Sequence, residues 1–504
     1  MNIIKDLWKY IVSIKDIISE IRAIADVIPA IKKWKGRKET DDASVEEIVK
    51  AALCAQKETA KEYEPKLADK ENEIAELKKA IKALLAPEIA SQQRRTEAVE
   101  ALKQGNTKAA LALFVEMEET VSAKKTEKGR KAAEFAKYQG AITYLNSPQE
   151  ALGHYKRAAD YDPADAGTWN RIGILQARLG NLKEAEATYL RALELGKRAK
   201  DKATIATALG NLGNIAQIQG ELDEAKDYCK QALALYKELG SKEGRAANLT
   251  NLGVIAKIQR ELDEAKDYYK QALALYKELG SKEGRAANLT NLGVIAQLQG
   301  ELAKAKDYYN QALALSEELG SKEGRAKNLG NLGLIAEARG ELAKAKDYFK
   351  QALALYEELG SKEGRAKNLT NLGLIAKARG ELAKAENYFN QSLVLHKELG
   401  GKEGRAANLT NLGVIAEARG ELAKAEDYLK QALALEEELG SKEGKARNLT
   451  NLGLIAKNRG DLGKAEDYLK QALKFWAELG AKAELGAKQE LARVTALCQK
   501  IASK

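Results

Sequence analysis

The sequence contains few of the residues that build metal sites, disulfide frameworks and acid–base catalytic centres. Three cysteines and two histidines occur among 504 residues. Cys54, Cys229 and Cys498 lie far apart without CxxC spacing, which argues against a disulfide framework or a thiolate metal site and favours a reducing cytoplasm. His154 and His396 have neither a partner nucleophile nor metal-ligand spacing near them. We therefore predict no enzyme, with no catalytic residue, no metal and no cofactor.

Prolines and uninterrupted apolar runs are also scarce. Five prolines, 6% aromatic residues and many Ala, Leu, Glu and Lys predict an all-α protein. Charged residues such as Lys5, Asp6 and Lys9 break up the amino terminus, which argues against a secretory signal or a membrane span. The 83 basic and 73 acidic residues are interleaved, so they indicate a solvated surface and not a stripe for nucleic acid.

What the sequence does have is a forty-residue repeat between about residues 205 and 480. In one copy, apolar residues at steps of three and four predict a first helix from Ala246 to Gln259 and a second from Glu261 to Leu279. Small Gly253 is expected where the helix backbones approach closely, and the large ring of Tyr269 is expected to fill the space between neighbouring repeats. Cys229 holds the place of Tyr269 in its own repeat, so it is interpreted as a core residue.

The residues between the helices agree with this period. A glycine holds the turn between the two helices in six repeats, as expected for a left-handed helix end; these are Gly220, Gly300, Gly340, Gly380, Gly420 and Gly460. Arg260 is the exception, and its turn should be strained or differently capped. Ser241 is placed to cap the following first helix.

This pattern resembles the tetratricopeptide repeats. Residues 166–199 fit the 34-residue form through Trp169, Ile172, Gly173, Gly180, Ala185, Tyr189 and Ala192. Less regular repeats precede it near 131–163 and 90–124. The forty-residue copies, with Leu-Gly-Asn-Leu-Gly at 209–213, are similar to the Leu-Gly-Asn repeat-enriched polarity proteins and kinesin light chains. The resemblance implies a right-handed superhelical solenoid of helix pairs, whose first helices line a concave groove that holds a protein or peptide.

Helical spacing predicts which residues face that groove. Because Leu249, Leu252 and Ala256 face the partner helix, Asn251 and Lys257 must lie on another face. The Asn position is the same in all seven copies and can donate to and accept from a peptide backbone: Asn211, Asn251, Asn291, Asn331, Asn371, Asn411 and Asn451. The neighbouring position alternates in charge: Gln217, Lys257, Gln297, Glu337, Lys377, Glu417 and Lys457. The alternative is that the asparagines bond to a neighbouring helix terminus.

The amino-terminal region differs from the repeats. Residues 3–31 carry isoleucines along two adjacent seams, and a basic cluster follows around Trp34. One reading is a small bundle or homo-oligomer built with helices at about 44–62 and 66–85. A second is an anionic membrane surface, which would make the protein a membrane-peripheral adaptor. A third is docking in the groove of a partner protein.

These observations predict five segments. They are an isoleucine-rich helix with its basic cluster at 1–38, a helical coiled-coil or bundle region at 44–88, degenerate and 34-residue repeats at 89–199, seven forty-residue repeats at 200–480, and a capping helix at 481–504. Removing the capping helix should expose the last apolar seam and promote aggregation. The predicted function is a cytoplasmic, non-enzymatic scaffold that binds a protein segment and self-associates through residues 1–38.

Overall fold

The computed structural model describes residues 77–83, 92–104, 106–122, 127–144 and 147–479, with residues 492 and 495–496. The expectations for residues 1–38, for most of 44–88 and for nearly all of the capping helix therefore lie outside the described residues. Within the described ranges no residue belongs to a β-strand. The all-α prediction is confirmed.

Besides a helical stretch at 77–83, the described chain forms helices that alternate between first and second members of pairs. Their bounds are α1 Gln92–Lys103, α2 Lys108–Ser122, α3 Glu127–Thr143, α4 Pro148–Tyr161, α5 Ala166–Arg178, α6 Leu182–Ala199, α7 Lys202–Gln219, α8 Leu222–Glu238, α9 Lys242–Ile258, α10 Leu262–Glu278, α11 Lys282–Leu298, α12 Leu302–Glu318, α13 Lys322–Ala338, α14 Leu342–Glu358, α15 Lys362–Ala378, α16 Leu382–Glu398, α17 Lys402–Ala418, α18 Leu422–Glu438, α19 Lys442–Asn458 and α20 Leu462–Leu479.

The chain divides into two compact units, Met1–Gly324 and Arg325–Lys504. In the first unit each helix from α1 to α12 packs against the next one along the chain, and the first helices also touch, α5 with α7 and α7 with α9. In the second unit α14 to α20 pack in the same consecutive order, and α17 touches α19. Both units thus have the helix-pair stacking of a tetratricopeptide solenoid.

The first helices begin earlier than the apolar pattern predicts. Helix α9 starts at Lys242 instead of Ala246, because Ser241 accepts a hydrogen bond of 3.1 Å from the backbone N–H of Gly244. Capping by Ser241 is thus confirmed. The pattern located the first buried residue, Ala246, whereas the cap sets the first helical one. The second helix, Leu262–Glu278, agrees with its prediction to within one residue at each end.

The turns between paired helices are left-handed. The six glycines at this position have φ between 72° and 87°. Arg260 adopts the same conformation, with φ 63°, which costs a residue with a Cβ about 1–2 kcal/mol. Its N–H still donates to the carbonyl of Lys257 at 3.1 Å. The expected strain at Arg260 is confirmed.

From α3 onward, each helix pair closes around a glycine. A Cβ on Gly253 would lie 2.6 Å from Cε1 of Tyr269, and that ring is completely buried. Tyr269 therefore packs on its own repeat's first helix as well as on Leu289 and Leu292 of the next repeat. Cys229 is likewise fully buried, with Sγ 2.6 Å from the Cβ position of Gly213, which confirms it as a core residue.

Candidate peptide-binding surface

The first helices have one buried face and one partly exposed face. In α9, Leu249, Leu252 and Ala256 are at most 3% exposed. On the other side Asn251 and Lys257 are half-buried. Because neighbouring first helices touch within each unit, α5 with α7 and α7 with α9 in the first and α17 with α19 in the second, their partly exposed faces lie side by side. This face carries every residue that the sequence predicts to line the groove.

Two rows of asparagine run along the first helices, and the sequence analysis considered only one of them. The inner amide row lies three residues before the predicted one and is at most 5% exposed: Asn248, Asn288, Asn328, Asn368, Asn408 and Asn448. Its side-chain amides bond to their own helices; for example, Nδ2 of Asn248 donates to the carbonyl of Gly244 at 2.9 Å. These bonds run within the asparagine's own helix, and not to the neighbouring helix terminus that was the alternative for the predicted row.

Threonines connect the inner amide row from one repeat to the next. The hydroxyl of Thr250 donates to Oδ1 of Asn288 at 3.2 Å. In the second unit Thr410 donates to Oδ1 of Asn448 at 2.9 Å. Each bond joins the first helices of neighbouring repeats within a dry interface, where an unpaired amide would be costly. The inner amide row therefore sets the register between repeats.

Two members of the inner amide row lack this bond, and the preceding repeat explains why. Oδ1 of Asn248 and Oδ1 of Asn368 are buried without a hydrogen-bond partner. The positions that hold threonine elsewhere are Gly210 and Gly330 in these two cases. A Cβ on Gly330 would lie 3.7 Å from Oδ1 of Asn368, an ordinary contact distance. The site thus has room for the missing hydroxyl.

We predict that Gly330→Thr stabilises the second unit by about 1–2 kcal/mol. The hydroxyl gives Asn368 its missing donor, worth about 1 kcal/mol, and replacing a glycine inside α13 adds a few tenths. Chemical denaturation followed by circular dichroism measures the gain. Gly330→Val has the same shape without the hydroxyl and should gain only the smaller part. Equal gains from both substitutions would contradict the hydrogen-bond explanation.

The predicted row, here called the outer amide row, consists of Asn211, Asn251, Asn291, Asn331, Asn371, Asn411 and Asn451, all half-buried. Within this row, all of which the structure describes, only Asn411 has side-chain hydrogen bonds to the rest of the protein: it accepts from Nζ of Lys377 at 2.8 Å and donates to the carbonyl of Ala407 at 3.0 Å. Nδ2 of Asn211 is buried without a partner. The outer amide row therefore keeps most of its donors and acceptors unused by the fold.

The row of alternating charge lies recessed beside these amides. Burial raises the pKa of Glu337, and burial raises that of Glu417 with a smaller opposing effect from Lys457. Burial lowers the pKa of Lys377. Charges that are partly removed from water interact more strongly with a ligand's charges than solvated ones do. Gln297 differs, since its Oε1 accepts a hydrogen bond of 2.9 Å from the hydroxyl of Tyr309.

A set of arginines near the first-helix amino termini makes no ion pair among the described residues. In all of them Nε is buried without a hydrogen-bond partner: Arg245, Arg285, Arg325, Arg365 and Arg405.

The two histidines lie in packed surroundings. His154 is 8% exposed, and burial, followed by the nearby charge of Arg157, lowers its pKa. His396 has its pKa lowered mainly by burial, and its ring lies over Gly404. In the described part of the chain no cluster of His, Cys, Asp and Glu could hold a metal ion. No helix there is long and apolar enough to cross a membrane.

Comparison with known proteins identifies the family. The sequence profile described as tetratricopeptide repeat matches residues 204–278, 283–358, 364–438 and 405–478, and a second profile of that description matches residues 144–201. These matches cover more than half of the chain, so the protein belongs to the tetratricopeptide repeat family. Members of this family are protein-interaction scaffolds and are generally non-enzymatic. No curated protein matches the chain significantly.

Several solved structures are similar in fold. A signal transduction ATPase of the STAND class with a tetratricopeptide repeat sensor, from Pyrococcus horikoshii, is 13% identical with a TM-score of 0.51, over 78% of this chain and 67% of that one. A Rap protein complexed with competence and sporulation factor is 16% identical with a TM-score of 0.45, over 78% and 99%. A kinesin light chain-like repeat protein from Podosopora anserina is 20% identical with a TM-score of 0.34, over 38% and 95%.

Proposed function

We propose that this protein is a non-enzymatic scaffold that binds a segment of another protein along the partly exposed face of its first helices. The outer amide row supplies hydrogen bonds to the segment's backbone. The recessed row of Lys257, Glu337, Lys377, Glu417 and Lys457 selects its register through charge. The observation that carries the proposal is the contrast between the two amide rows on the same helices.

That contrast separates amides that hold the fold from amides that are available to a ligand. In α19, Asn448 is completely buried and bonds to Gly444 and Thr410, whereas Asn451 has no side-chain hydrogen bond among the described residues and is half-buried. An extended or helical segment presents backbone or side-chain groups that such amides can pair with. A half-buried row of amides and charges favours a peptide over nucleic acid, which needs exposed aromatics in a basic groove.

Removing the outer amide row from the second unit should weaken binding and leave the fold intact. We expect the full chain with Asn331, Asn371, Asn411 and Asn451 all changed to Ala to capture its partner from lysate at least about tenfold more weakly, since each lost hydrogen bond contributes about 0.5–1.5 kcal/mol. The thermal midpoint should change little, because the better helix propensity of Ala offsets the loss of Asn411's hydrogen bonds with Lys377 and Ala407. Quantitative mass spectrometry of proteins captured on the immobilised chain measures the first effect.

The matched control changes two exposed asparagines on second helices, Asn310 and Asn390, to Ala. A protein captured by the wild type and by this control, but not by the outer-row variant, is the expected partner. Capture that is equal for all three chains would contradict the proposal. Unfolding of the repeats in the outer-row variant would instead assign those amides to the fold.

The role of residues 1–38 remains a prediction from the sequence. Two adjacent isoleucine seams favour self-association, and the alternative is attachment to an anionic membrane surface. We expect light scattering to give a larger mass for the full chain than for a chain starting at Asp41. Flotation with anionic liposomes, lost in the shorter chain, would favour the membrane alternative. A cytoplasmic location belongs to this same proposal.

A further inference from the structure

Three exposed aliphatic residues occupy equivalent positions in three successive first helices of the first unit. Ile218, Ile258 and Leu298 are 59%, 47% and 59% exposed, and together they are called the aliphatic strip. Each lies seven residues after a member of the outer amide row, so it shares that row's face. Three large aliphatic side chains aligned in this way form an apolar patch that is unusual for a solvated surface.

Carboxylates border the aliphatic strip. The residue after each member is a glutamine whose Nε2 donates to a carboxylate of the preceding second helix. The pairs are Gln219 to Glu186 at 3.1 Å, Gln259 to Asp223 at 2.9 Å and Gln299 to Asp263 at 2.8 Å. These bonds place three carboxylates at the glutamines that directly follow the strip residues. An occupant with aliphatic side chains and positive charge would fit this border.

The second unit has the opposite chemistry at the same positions. The strip residues are replaced by Ala338, Ala378, Ala418 and Asn458, and the glutamines are replaced by Arg339, Arg379, Arg419 and Arg459. The position of Asp223 and Asp263 is taken by Ala343, Ala383, Ala423 and Gly463. These arginines pair with glutamates, as Arg379 does with Glu381 and Arg419 with Glu386. A basic apolar segment would therefore meet fewer apolar contacts there, and carboxylates that already have a cationic partner, so we expect it to prefer the first unit.

The chain itself contains a segment with the required composition. Residues 3–31 place isoleucine along two helical seams, and Lys32, Lys33, Lys35, Arg37 and Lys38 follow. Residues 39–76 separate it from the helical stretch at 77–83, whose Leu77, Ala80 and Ile81 are packed in the core with α1 and α2. Even if these 38 residues were wholly helical at about 1.5 Å per residue they would span roughly 57 Å, several times the roughly 8–10 Å between the axes of packed helices.

We propose that residues 3–38 dock on the aliphatic strip of their own chain, with the isoleucines on Ile218, Ile258 and Leu298 and the basic cluster on the carboxylate border. The docked segment covers the first unit's outer amides and so competes with a bound partner; this consequence rests on the function proposed above, whereas the docking does not. At high concentration, exchange of the segment between two copies would produce the predicted self-association.

Hydrogen exchange with mass spectrometry tests the docking in the full chain, at dilutions where light scattering gives the monomer mass. In Ile218→Ala/Ile258→Ala/Leu298→Ala, amides of residues 3–31 should exchange on the order of tenfold faster than in wild type, because their local opening becomes easier. The second unit carries alanine at three of the four equivalent positions, so the fold tolerates this change. Lys32→Glu/Lys33→Glu/Lys35→Glu, which leaves the strip intact, should also speed exchange.

Val394→Ala is the matched control. Val394 is 55% exposed on the second helix α16. The sister repeats already carry alanine at this position, at Ala354 and Ala434, so Val394→Ala should leave the exchange rate of residues 3–31 unchanged.

The docking is overturned if the exchange rate of residues 3–31 is the same in the strip variant as in wild type. If the amides of residues 3–31 are protected only when the protein is associated, the strip binds a second copy. If they are protected only when anionic vesicles are present, the segment binds lipid. Either result overturns docking within one chain. Partner capture through the second unit's amides is measured separately, so either proposal can fail alone.

Discussion

Gly293→Ala is expected to lower the free energy of unfolding by about 2–3 kcal/mol, although alanine is the better helix former. The added Cβ would lie 2.5 Å from Cε1 of Tyr309. That ring is completely buried and its hydroxyl bonds to Gln297, so it cannot move aside without losing contacts on both sides. Chemical denaturation measures the loss, and hydrogen exchange should locate it in α11 and α12.

Gly153→Ala is the matched control for this substitution. Gly153 lies inside α4 and a Cβ there would meet nothing within 4 Å. This change should stabilise the protein by about 0.5–1 kcal/mol through helix propensity alone. If Gly293→Ala raised stability as Gly153→Ala is expected to, the close approach of paired helices would not be what requires glycine.

The second large effect is expected from the inner amide row. Asn448→Ala should destabilise the second unit by about 2–3 kcal/mol. It removes two buried hydrogen bonds, the one that Asn448 donates to the carbonyl of Gly444 and the one that it accepts from the hydroxyl of Thr410. Asn451→Ala, three residues later in the same helix, should change stability by less than about 0.5 kcal/mol. Both free energies come from denaturation curves followed by circular dichroism.

Similar losses from Asn448→Ala and Asn451→Ala would contradict the division between the two rows. A loss confined to Asn451→Ala would reverse it. The two stability losses can be compared directly because both residues are asparagines in the same helix, with the same neighbouring repeats, so the effect of Asn→Ala on helix propensity cancels.

The fold could be predicted from the sequence because its determinants are local and repeated. Glycine, serine and apolar spacing recur every forty residues, and each has a direct structural meaning. Gly300 predicts a left-handed turn, Ser281 predicts a cap and Tyr309 predicts a buried ring. The sequence also predicted strain at Arg260, in contrast to the six glycine turns, because a residue with a Cβ must adopt positive φ there.

The inner amide row could not be distinguished from the outer one by sequence alone. Asn248 and Asn251 are repeated almost equally often, and three residues of helix separate their directions by only about 60°. Which of them is buried depends on how neighbouring first helices approach, and that is decided by packing between repeats. The recurring threonine was a signal that could have identified most of the inner amide row, because Thr250 donates to Asn288 of the next repeat.

The aliphatic strip escaped prediction for a different reason. Helical spacing puts Ile258 on the same face as Asn251 and Lys257, but an apolar residue in a helix is ordinarily expected to be covered by packing, so the sequence did not single out Ile218, Ile258 and Leu298 as an exposed set. Their exposure becomes visible only when the packed face is known. The change to Ala338, Ala378 and Ala418 in later repeats was the sequence signal, since the buried aliphatic positions of the same helices, such as those of Leu252 and Ile255, keep leucine and isoleucine in every forty-residue repeat.

Site-specific photo-crosslinking tests most directly whether the first-helix face binds a protein. A photoreactive phenylalanine analogue at Val414, half-buried three residues after Asn411, is compared in the full chain with the same analogue at exposed Val394. The account predicts a crosslinked partner from Val414 that is lost when Asn371, Asn411 and Asn451 are changed to Ala, and none of that partner from Val394. Crosslinking of the same partner from Val394 alone, or from Val414 with equal yield after the asparagines are removed, would contradict it.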